Sequence, residues 1–122
     1  MKVGVLVQFT SKTDIEAKFT ELKELGVDSC QLVCWDRPTL HDDVMVEKIN
    51  KAIEKFGIRV TAFWGGWEGR RVWDFYEGQL TLGLVPTDYR VERMKMILEG
   101  SDFAKKIHVT DLATHVGFMP EN

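Results

Sequence analysis

Three short segments with nearly the same sequence constrain the fold more than any other feature of the chain. They read KELGV at 23–27, EKFGI at 54–58 and KKIHV at 105–109. In each, charged residues and one apolar residue precede a Gly or His and a β-branched residue follows, which is typical of a helix end joined to a strand start. Glycine adopts the left-handed backbone there without steric cost, whereas His108 must adopt it at some cost or use a different turn. The chain is therefore predicted to repeat a helix-to-strand unit.

Hydrophobic periodicity between these segments predicts four strands that alternate with three helices. The predicted strands are 3–9, 27–35, 58–64 and 109–116. Two amphipathic helices are predicted at 13–25 and 42–56, and a third is marked by Val91, Met94, Leu98, Phe103 and Ile107. This order predicts an α/β fold with a parallel sheet and right-handed crossovers.

The length and charge of the chain fit one domain over residues 1–122. A chain of this size buries enough surface for one core but not for two. With 16 Lys and Arg against 19 Asp and Glu, it has no excess positive charge to attract a nucleic acid or an acidic membrane. No apolar run approaches the roughly 20 residues that span a bilayer, and the N-terminus has no signal-peptide pattern. We therefore expect a cytoplasmic protein that binds neither nucleic acid nor membrane.

Cys30 and Cys34 lie in one predicted strand. Two residues four apart in a strand share a face but are about 13 Å apart. A disulfide requires Cα atoms within about 7 Å. We expect two reduced, buried thiols that pack as small apolar groups.

Residues 65–90 lack clear periodicity and carry several large aromatic side chains. These are Trp67, Trp73, Phe75, Tyr76 and Tyr89. Long irregular segments inside compact domains are uncommon, and this composition argues against disorder. The segment follows a strand, so it lies at the carboxyl end of the sheet, where β/α folds build their sites. Two interpretations stay open: a loop that covers a ligand, or a flap that packs on the fold or contacts another subunit.

Three crossover helices are too few to cover four parallel strands. The sequence ends at 118–122, directly after the fourth predicted strand, whereas a parallel sheet normally has both faces covered. If the helices lie on one face, the other face and both edge strands stay open, a condition that natural proteins avoid by closure or pairing. We therefore expect half of a larger fold, paired through its open sheet edges as a homodimer.

Three further segments carry a family resemblance. They read FWGGW at 63–67, DFAKK at 102–106 and THVGFMP at 114–120. Together with the strands and the glycine-capped helices, they resemble the N-terminal half of the xylose isomerase-like TIM barrels, which include sugar phosphate isomerases and epimerases. The resemblance covers essentially the whole chain. It implies a parallel β/α half-barrel of about four strands and three helices, truncated relative to a full (β/α)8 barrel of about 250 residues.

The resemblance implies a divalent metal in the complete enzymes, held by carboxylates and histidines on later strands, with paired glutamates that move a proton. Those strands are absent here, so we assign neither catalytic residues nor a metal site, and we expect no cofactor for this chain alone. His115 carries over, because endonuclease-like members place a metal-binding histidine in a His-x-Gly context, as at 115–117. One histidine is not a metal site. His115 is therefore either structural or substrate-facing, or a single metal ligand.

The start of the long loop supplies candidate substrate-binding residues. Aromatic faces stack on sugar rings and a carboxylate accepts hydrogen bonds from hydroxyls, so Trp64, Trp67 and Glu68 suit a carbohydrate pocket. The alternative is that the two tryptophans seal the top of the core. Arg70 and Arg71 are weaker candidates for a phosphate contact.

Strand alternation adds a second set of candidates. It points certain polar and aromatic side chains away from the helices and into the interior of the expected barrel. There, ordered water or the hydroxyls of a sugar would satisfy their hydrogen bonds. These residues are Gln8, Gln31, Trp35 and His115.

The sequence thus predicts a half-barrel of the sugar phosphate isomerase or epimerase type. We expect it to bind a sugar or sugar phosphate and to lack the activity of the complete enzyme. The rival interpretation is a non-catalytic carbohydrate-binding or structural module. A metal-dependent assay on ketoses and aldoses separates the two.

Overall fold

The computed structural model describes residues 3–118, which form one sheet of four parallel strands connected through helices. The strands are β1 (Val5–Gln8), β2 (Ser29–Cys34), β3 (Arg59–Gly65) and β4 (Leu112–Ala113), and their order in the sheet follows the chain. The helices are α1 (Ile15–Glu24), α2 (Asp43–Phe56), α3 (Gly78–Thr81) and α4 (Thr87–Lys106), with a 3₁₀ helix at Arg37–His41. The predicted parallel α/β architecture is confirmed, with the short α3 as an addition. Met119 and Pro120 of the quoted motif lie outside the described residues.

The helix ends form as the three repeated segments predict. Gly26 and Gly57 adopt left-handed φ angles of 70° and 59°. His108 adopts the same conformation at φ 60°, and within residues 3–118 no other non-glycine residue has a positive φ. The third junction therefore uses the same turn as the first two, although the Cβ atom of His108 makes this conformation sterically unfavourable.

Aspartate side chains cap the starts of the first two long helices. Asp14 accepts a hydrogen bond from the Ala17 N–H at 3.0 Å. Asp42 accepts hydrogen bonds from the N–H groups of Val44 and Met45 at 3.0 and 3.1 Å. Such caps satisfy N–H groups that have no partner inside the helix.

The core lies between one face of the sheet and α1, α2 and α4. On β2, Cys30 and Cys34 are fully buried and form no disulfide. Burial raises the pKa of each thiol to about 11. The rings of Phe63 on β3 and Phe103 on α4 pack with centroids 5.3 Å apart. The expectation of two reduced, buried thiols is confirmed.

The fourth strand is much shorter than predicted. β4 comprises two residues rather than 109–116. Val109 instead belongs to the core, and its N–H donates to the Ala104 carbonyl in the turn that closes α4. Val109, the apolar residue that suggested an earlier strand start, is thus buried by the turn after α4 and not by a strand.

Of the five apolar residues that marked the third helix, Phe103 and Ile107 are buried, but the first three do not lie on its buried face. Val91, Met94 and Leu98 are 63%, 49% and 66% exposed. The first half of α4 packs against the long loop through the inward-facing Arg93, so the helix is rotated relative to the prediction. Its buried residues are Arg93, Met96, Gly100, Phe103 and Ala104.

The opposite face of the sheet and its two edges are open. β1 and β4 are the edge strands of the described sheet. On β1, Leu6 and Gln8 point away from the core, and both are exposed. Among residues 3–118, the helices are too short or too polar for any of them to cross a membrane.

Candidate functional site

The carboxyl ends of β2 and β3 bring Trp35 and Trp64 together. Trp64 follows the core residue Phe63, so it points to the uncovered face of the sheet. Trp35 directly follows the buried Cys34 and points to the same face, as predicted. The two indole rings lie 6.5 Å apart between centroids.

Gly66 makes the position of Trp35 possible. A Cβ atom at this position would lie 2.5 Å from the Trp35 indole and 2.7 Å from the Cys34 carbonyl oxygen. That oxygen accepts the Gly66 N–H at 2.8 Å. The glycine is therefore required for close packing between β3 and the end of β2.

Trp73 and His115 complete an aromatic cluster, which we define as Trp35, Trp64, Trp73 and His115. The Trp73 ring lies 6.5 Å from that of Trp35 and 4.9 Å from that of His115, edge to face in both cases. Trp73 is 55% exposed, and the other three are half-buried. The aromatic cluster thus combines the ends of β2, β3 and β4 with the long loop, and it is partly open to solvent.

His115 is held in place by its own backbone environment. Its Nδ1 accepts the Gly117 N–H at 3.1 Å, and its carbonyl accepts the Trp67 indole N–H at 3.3 Å. In the neutral ring the proton therefore lies on Nε2. The His-x-Gly pattern has a structural explanation here, and Nε2 is the atom left for a ligand.

Trp67 lies in the core, directly against the aromatic cluster, with its ring centroid 5.2 Å from that of Trp35 and 6.5 Å from that of Trp73. It is fully buried, and the guanidinium of Arg93 lies 4.1 Å from its ring centroid. The second of the two interpretations, a tryptophan that seals the core, describes this residue. Replacement of Trp67 by alanine is therefore expected to cost about 3 to 5 kcal/mol of stability.

Glu68 is not brought together with Trp64 and His115. Its exposed side chain borders a cavity of about 50 Å³ that is also lined by Arg37, Tyr89 and Glu92. The three candidates at 64, 67 and 68 thus become a residue of the aromatic cluster, a core residue that packs against that cluster, and a surface residue. Their separation follows from the end of β3 at Gly65, after which strand alternation no longer applies.

Arg93, which the sequence analysis did not single out, organises the long loop. Its side chain is 2% exposed and donates to the carbonyls of Glu68, Arg70, Thr81 and Gly83 at 2.7 to 3.2 Å. Burial lowers its pKa, and the nearby charge of Arg71 adds to this effect. The loop is therefore ordered around one buried guanidinium rather than around an apolar core of its own.

The end of this loop is fastened to the segment after β4. The N–H groups of Leu84 and Val85 donate to the Val116 carbonyl at 2.7 and 3.3 Å. A Cβ atom at Gly83, where φ is 66°, would lie 2.1 Å from the Val116 backbone. The loop and the segment that carries His115 therefore form one packed unit.

The remaining interior candidates lie on the open face of the sheet. Gln31 pairs in register with Leu6, and Gln8 pairs with Val33. Gln8 is exposed and Gln31 is half-buried. The alternation that predicted their direction is confirmed, but both lie on strands further from His115 than Trp64 does.

The architecture matches a solved structure. A xylose isomerase domain protein from Planctomyces limnophilus superimposes with a TM-score of 0.81 and 26% sequence identity, over 98% of this chain. The chain described here therefore has the fold of a xylose isomerase-like half-barrel. The chain spans 42% of the length of the Planctomyces protein. No family model and no curated protein matches the sequence.

The half-barrel does not offer a metal site among its described residues. Within 3–118, no three side chains of His, Cys, Asp or Glu are grouped to hold an ion. His115 has its Nδ1 engaged by Gly117 and is surrounded by the rings of Trp73 and Phe118. A divalent metal needs several ligands at once, and these residues do not fit one.

The half-barrel leaves one buried donor unused in the aromatic cluster. The indole Nε1 of Trp64 is shielded from solvent and has no hydrogen-bond partner among the described residues. A buried donor without an acceptor costs about 1 to 3 kcal/mol. An oxygen atom that reached this nitrogen would therefore be stabilised.

Proposed function

We propose that the half-barrel binds a sugar or sugar phosphate at the aromatic cluster. The observation that carries the proposal is the set of four rings at the carboxyl end of the sheet, half-open to solvent on the face that helices do not cover. In β/α folds this end of the sheet is where ligands bind. Indole faces pack against the C–H faces of sugar rings, so the aromatic cluster suits a carbohydrate ligand.

The polar groups of the aromatic cluster suit the hydroxyls of a sugar. The Nε1 of Trp64 is a donor without an acceptor, and the Nε2 of His115 is the ring nitrogen not engaged by the backbone. The Nε2 of His115 can donate to a sugar oxygen directly, and the Nε1 of Trp64 can do so once the side chains that shield it move aside. A ligand with several hydroxyls would satisfy both, since buried polar groups are rarely left unpaired.

We propose further that this chain binds the sugar without isomerising it. Isomerisation at carbon needs an electrophile and a positioned base. The aromatic cluster supplies one histidine, and the carboxylate of Glu68 lies outside the cluster, on the side of Arg37. Isomerisation would require the residues of a complete barrel. A non-catalytic binding module, the rival interpretation, would bind the same sugar.

Tryptophan fluorescence tests the binding proposal. Titration with ketoses, aldoses and their phosphates should shift the emission, because three of the four tryptophans lie in the aromatic cluster. The Trp73→Ala variant should lose most of the response. Tyr76→Ala is the matched control, because Tyr76 is 91% exposed on the same loop and outside the aromatic cluster. An unchanged response in Trp73→Ala, or no response to any sugar in the parent chain, would overturn the proposal.

The lack of turnover is tested separately. The chain is incubated with ketose and aldose pairs in the presence of Mg²⁺, Mn²⁺ or Zn²⁺, and the products are separated by chromatography. We expect no interconversion. Metal-stimulated interconversion that His115→Ala abolishes would show that the half-barrel assembles a working active site.

A further inference from the structure

Arg71 lies directly against the aromatic cluster. Its guanidinium carbon is 4.9 Å from the centroid of the Trp35 ring, within the range of a cation–π contact. Its Nη1 donates to the Trp67 carbonyl at 3.3 Å. The residue is exposed, so the remaining N–H groups of the guanidinium face solvent beside the aromatic rings.

Arg71 has no carboxylate partner among residues 3–118. Arg37 forms a salt bridge with Glu99 at 2.6 Å, and Arg70 forms one with Glu77. No salt bridge of the described residues involves Arg71. Its neighbour in sequence, Arg70, thus differs from it in having its charge compensated.

A second uncompensated charge lies behind Arg71. Arg93 is buried and contacts backbone carbonyls and the rings of Trp67 and Tyr89, but no carboxylate of the described residues. Arg71 and Arg93 are close enough for the charge of one to act on the other. Two guanidiniums without a carboxylate therefore make this end of the sheet attractive to an anion.

The position of Arg71 favours a particular mode of anion binding. A guanidinium is a planar fork of five N–H groups that matches the oxygens of a phosphate or a carboxylate. Stacking on Trp35 and the bond to Trp67 hold the fork in one orientation. An ordered arginine loses less side-chain entropy when it binds than a mobile one.

We propose that Arg71 is the anion-binding residue of this site, so that the ligand is a sugar that carries a phosphate or a carboxylate. The anionic group lies on Arg71 while the sugar ring lies on the aromatic cluster. The inference rests on the proposed function, because it assigns the substrate class of the same site.

The test compares four ligands on the full chain by tryptophan fluorescence. They are a neutral ketohexose, its phosphate ester, a hexuronate and inorganic phosphate. We expect at least one of the two anionic sugars to bind about tenfold more tightly than the neutral sugar, which corresponds to about 1.4 kcal/mol. The advantage should shrink between 50 and 200 mM salt, because exposed charges are screened. The phosphate ester and the hexuronate then show which anion the site prefers.

Variants connect the anion preference to Arg71. Arg71→Gln should remove the advantage of the anionic sugar, so that the anionic and the neutral sugar bind this variant with equal affinity. Arg70→Gln is the matched control, because Arg70 is adjacent in sequence and already paired with Glu77, and it should keep the advantage. Equal affinities for neutral and anionic sugars in the parent chain, or the same tenfold advantage in Arg71→Gln, would overturn the inference.

The outcomes also separate this inference from the proposed function. If neutral sugars bind and anionic sugars gain nothing, the inference on Arg71 fails and sugar binding stands. If no sugar binds but inorganic phosphate binds and Arg71→Gln abolishes this, the anion contact stands and the sugar proposal fails. If neither sugars nor phosphate bind, both fail.

Discussion

Arg93 supports the candidate site without belonging to the aromatic cluster. Its side chain joins four carbonyls of the long loop and contacts the rings of Trp67 and Tyr89. An inward-facing arginine contradicts the usual preference of this residue for the surface. It is tolerated because every contact on its guanidinium is an acceptor or a ring face.

Replacement of Arg93 by methionine should destabilise the chain by about 2 to 4 kcal/mol, because the change leaves buried carbonyls without a donor. The free energy of unfolding is measured by urea denaturation followed by circular dichroism. Arg90→Met is the matched control, because Arg90 also donates to two carbonyls, those of Leu84 and Val85, but is exposed. It should cost less than about 1 kcal/mol. A cost for Arg93→Met no larger than that of the control would contradict the organising role of Arg93.

The two buried thiols give the stability a pH dependence in the alkaline range. Burial raises the pKa of Cys30 and Cys34 from 9.0 to about 11. A raised pKa in the folded state means that the protonated thiol contributes stability below pH 9, and that this contribution is lost as the pH rises from 9 to 11. Urea denaturation at successive pH values should show a steeper fall for the parent chain than for a Cys30→Ala, Cys34→Ala double variant. Parallel curves for the two proteins would show that the thiols do not contribute.

The junction between α4 and β4 differs from the two junctions before it at one position. His108 has a φ of 60°, where Gly26 and Gly57 stand in the equivalent turns. A side chain with a Cβ costs about 1 to 2 kcal/mol in this conformation. Glycine avoids that cost but loses more entropy on folding, which offsets part of the gain.

We expect His108→Gly to stabilise the chain by about 0.5 to 1 kcal/mol. The midpoint of thermal unfolding and the urea midpoint should both rise. His41→Gly is the control, because His41 lies in the 3₁₀ helix, has no positive φ and pairs with Glu99, so glycine there should destabilise. A loss of stability in His108→Gly would mean that the histidine side chain contributes contacts that outweigh its strain.

Local patterns explain which elements could be predicted from the sequence. Helix ends and strand alternation depend on neighbouring residues, so the three junctions and the direction of Trp35 could be read directly. The buried face of α4 could not, because it packs on a loop that has no periodicity of its own. Trp64 and Trp67 differ in burial for the same reason, since β3 ends between them and the later direction of the chain depends on tertiary contacts.

The sheet as a whole has two open edges and one open face. β1 and β4 are the edge strands, and Leu6 on β1 is 60% exposed. Four parallel strands with apolar side chains on an uncovered face can reduce that exposure by pairing with a second copy, which would close eight strands. We propose that the chain forms a symmetric dimer through these edges.

Light scattering at micromolar concentration should give twice the mass of the chain. Leu6→Glu should convert the dimer to a monomer, because it places a charge on the edge strand and the open face. Val44→Glu is the matched control, because Val44 is 61% exposed on α2, away from both edges, and should leave the dimer intact. A stable, folded monomer of the parent chain would rule out the dimer.

We expect the candidate site to form late in folding, because the bonds from Leu84 and Val85 to the Val116 carbonyl join segments far apart in sequence. Trp35, Trp73 and His115 meet only after chain segments far apart in sequence have docked, and such contacts carry a large loop-closure cost. We expect this region to open at a lower free energy than the core, because the aromatic cluster is partly exposed to solvent. A ligand that contacts both Trp73 and His115 would hold the long loop and the segment after β4 together. At one hundred times its dissociation constant it would add about 2.7 kcal/mol to the stability of the folded state. Hydrogen exchange at residues 84–85 and 115–117 would then report occupancy of the site, even though these amides contact no ligand.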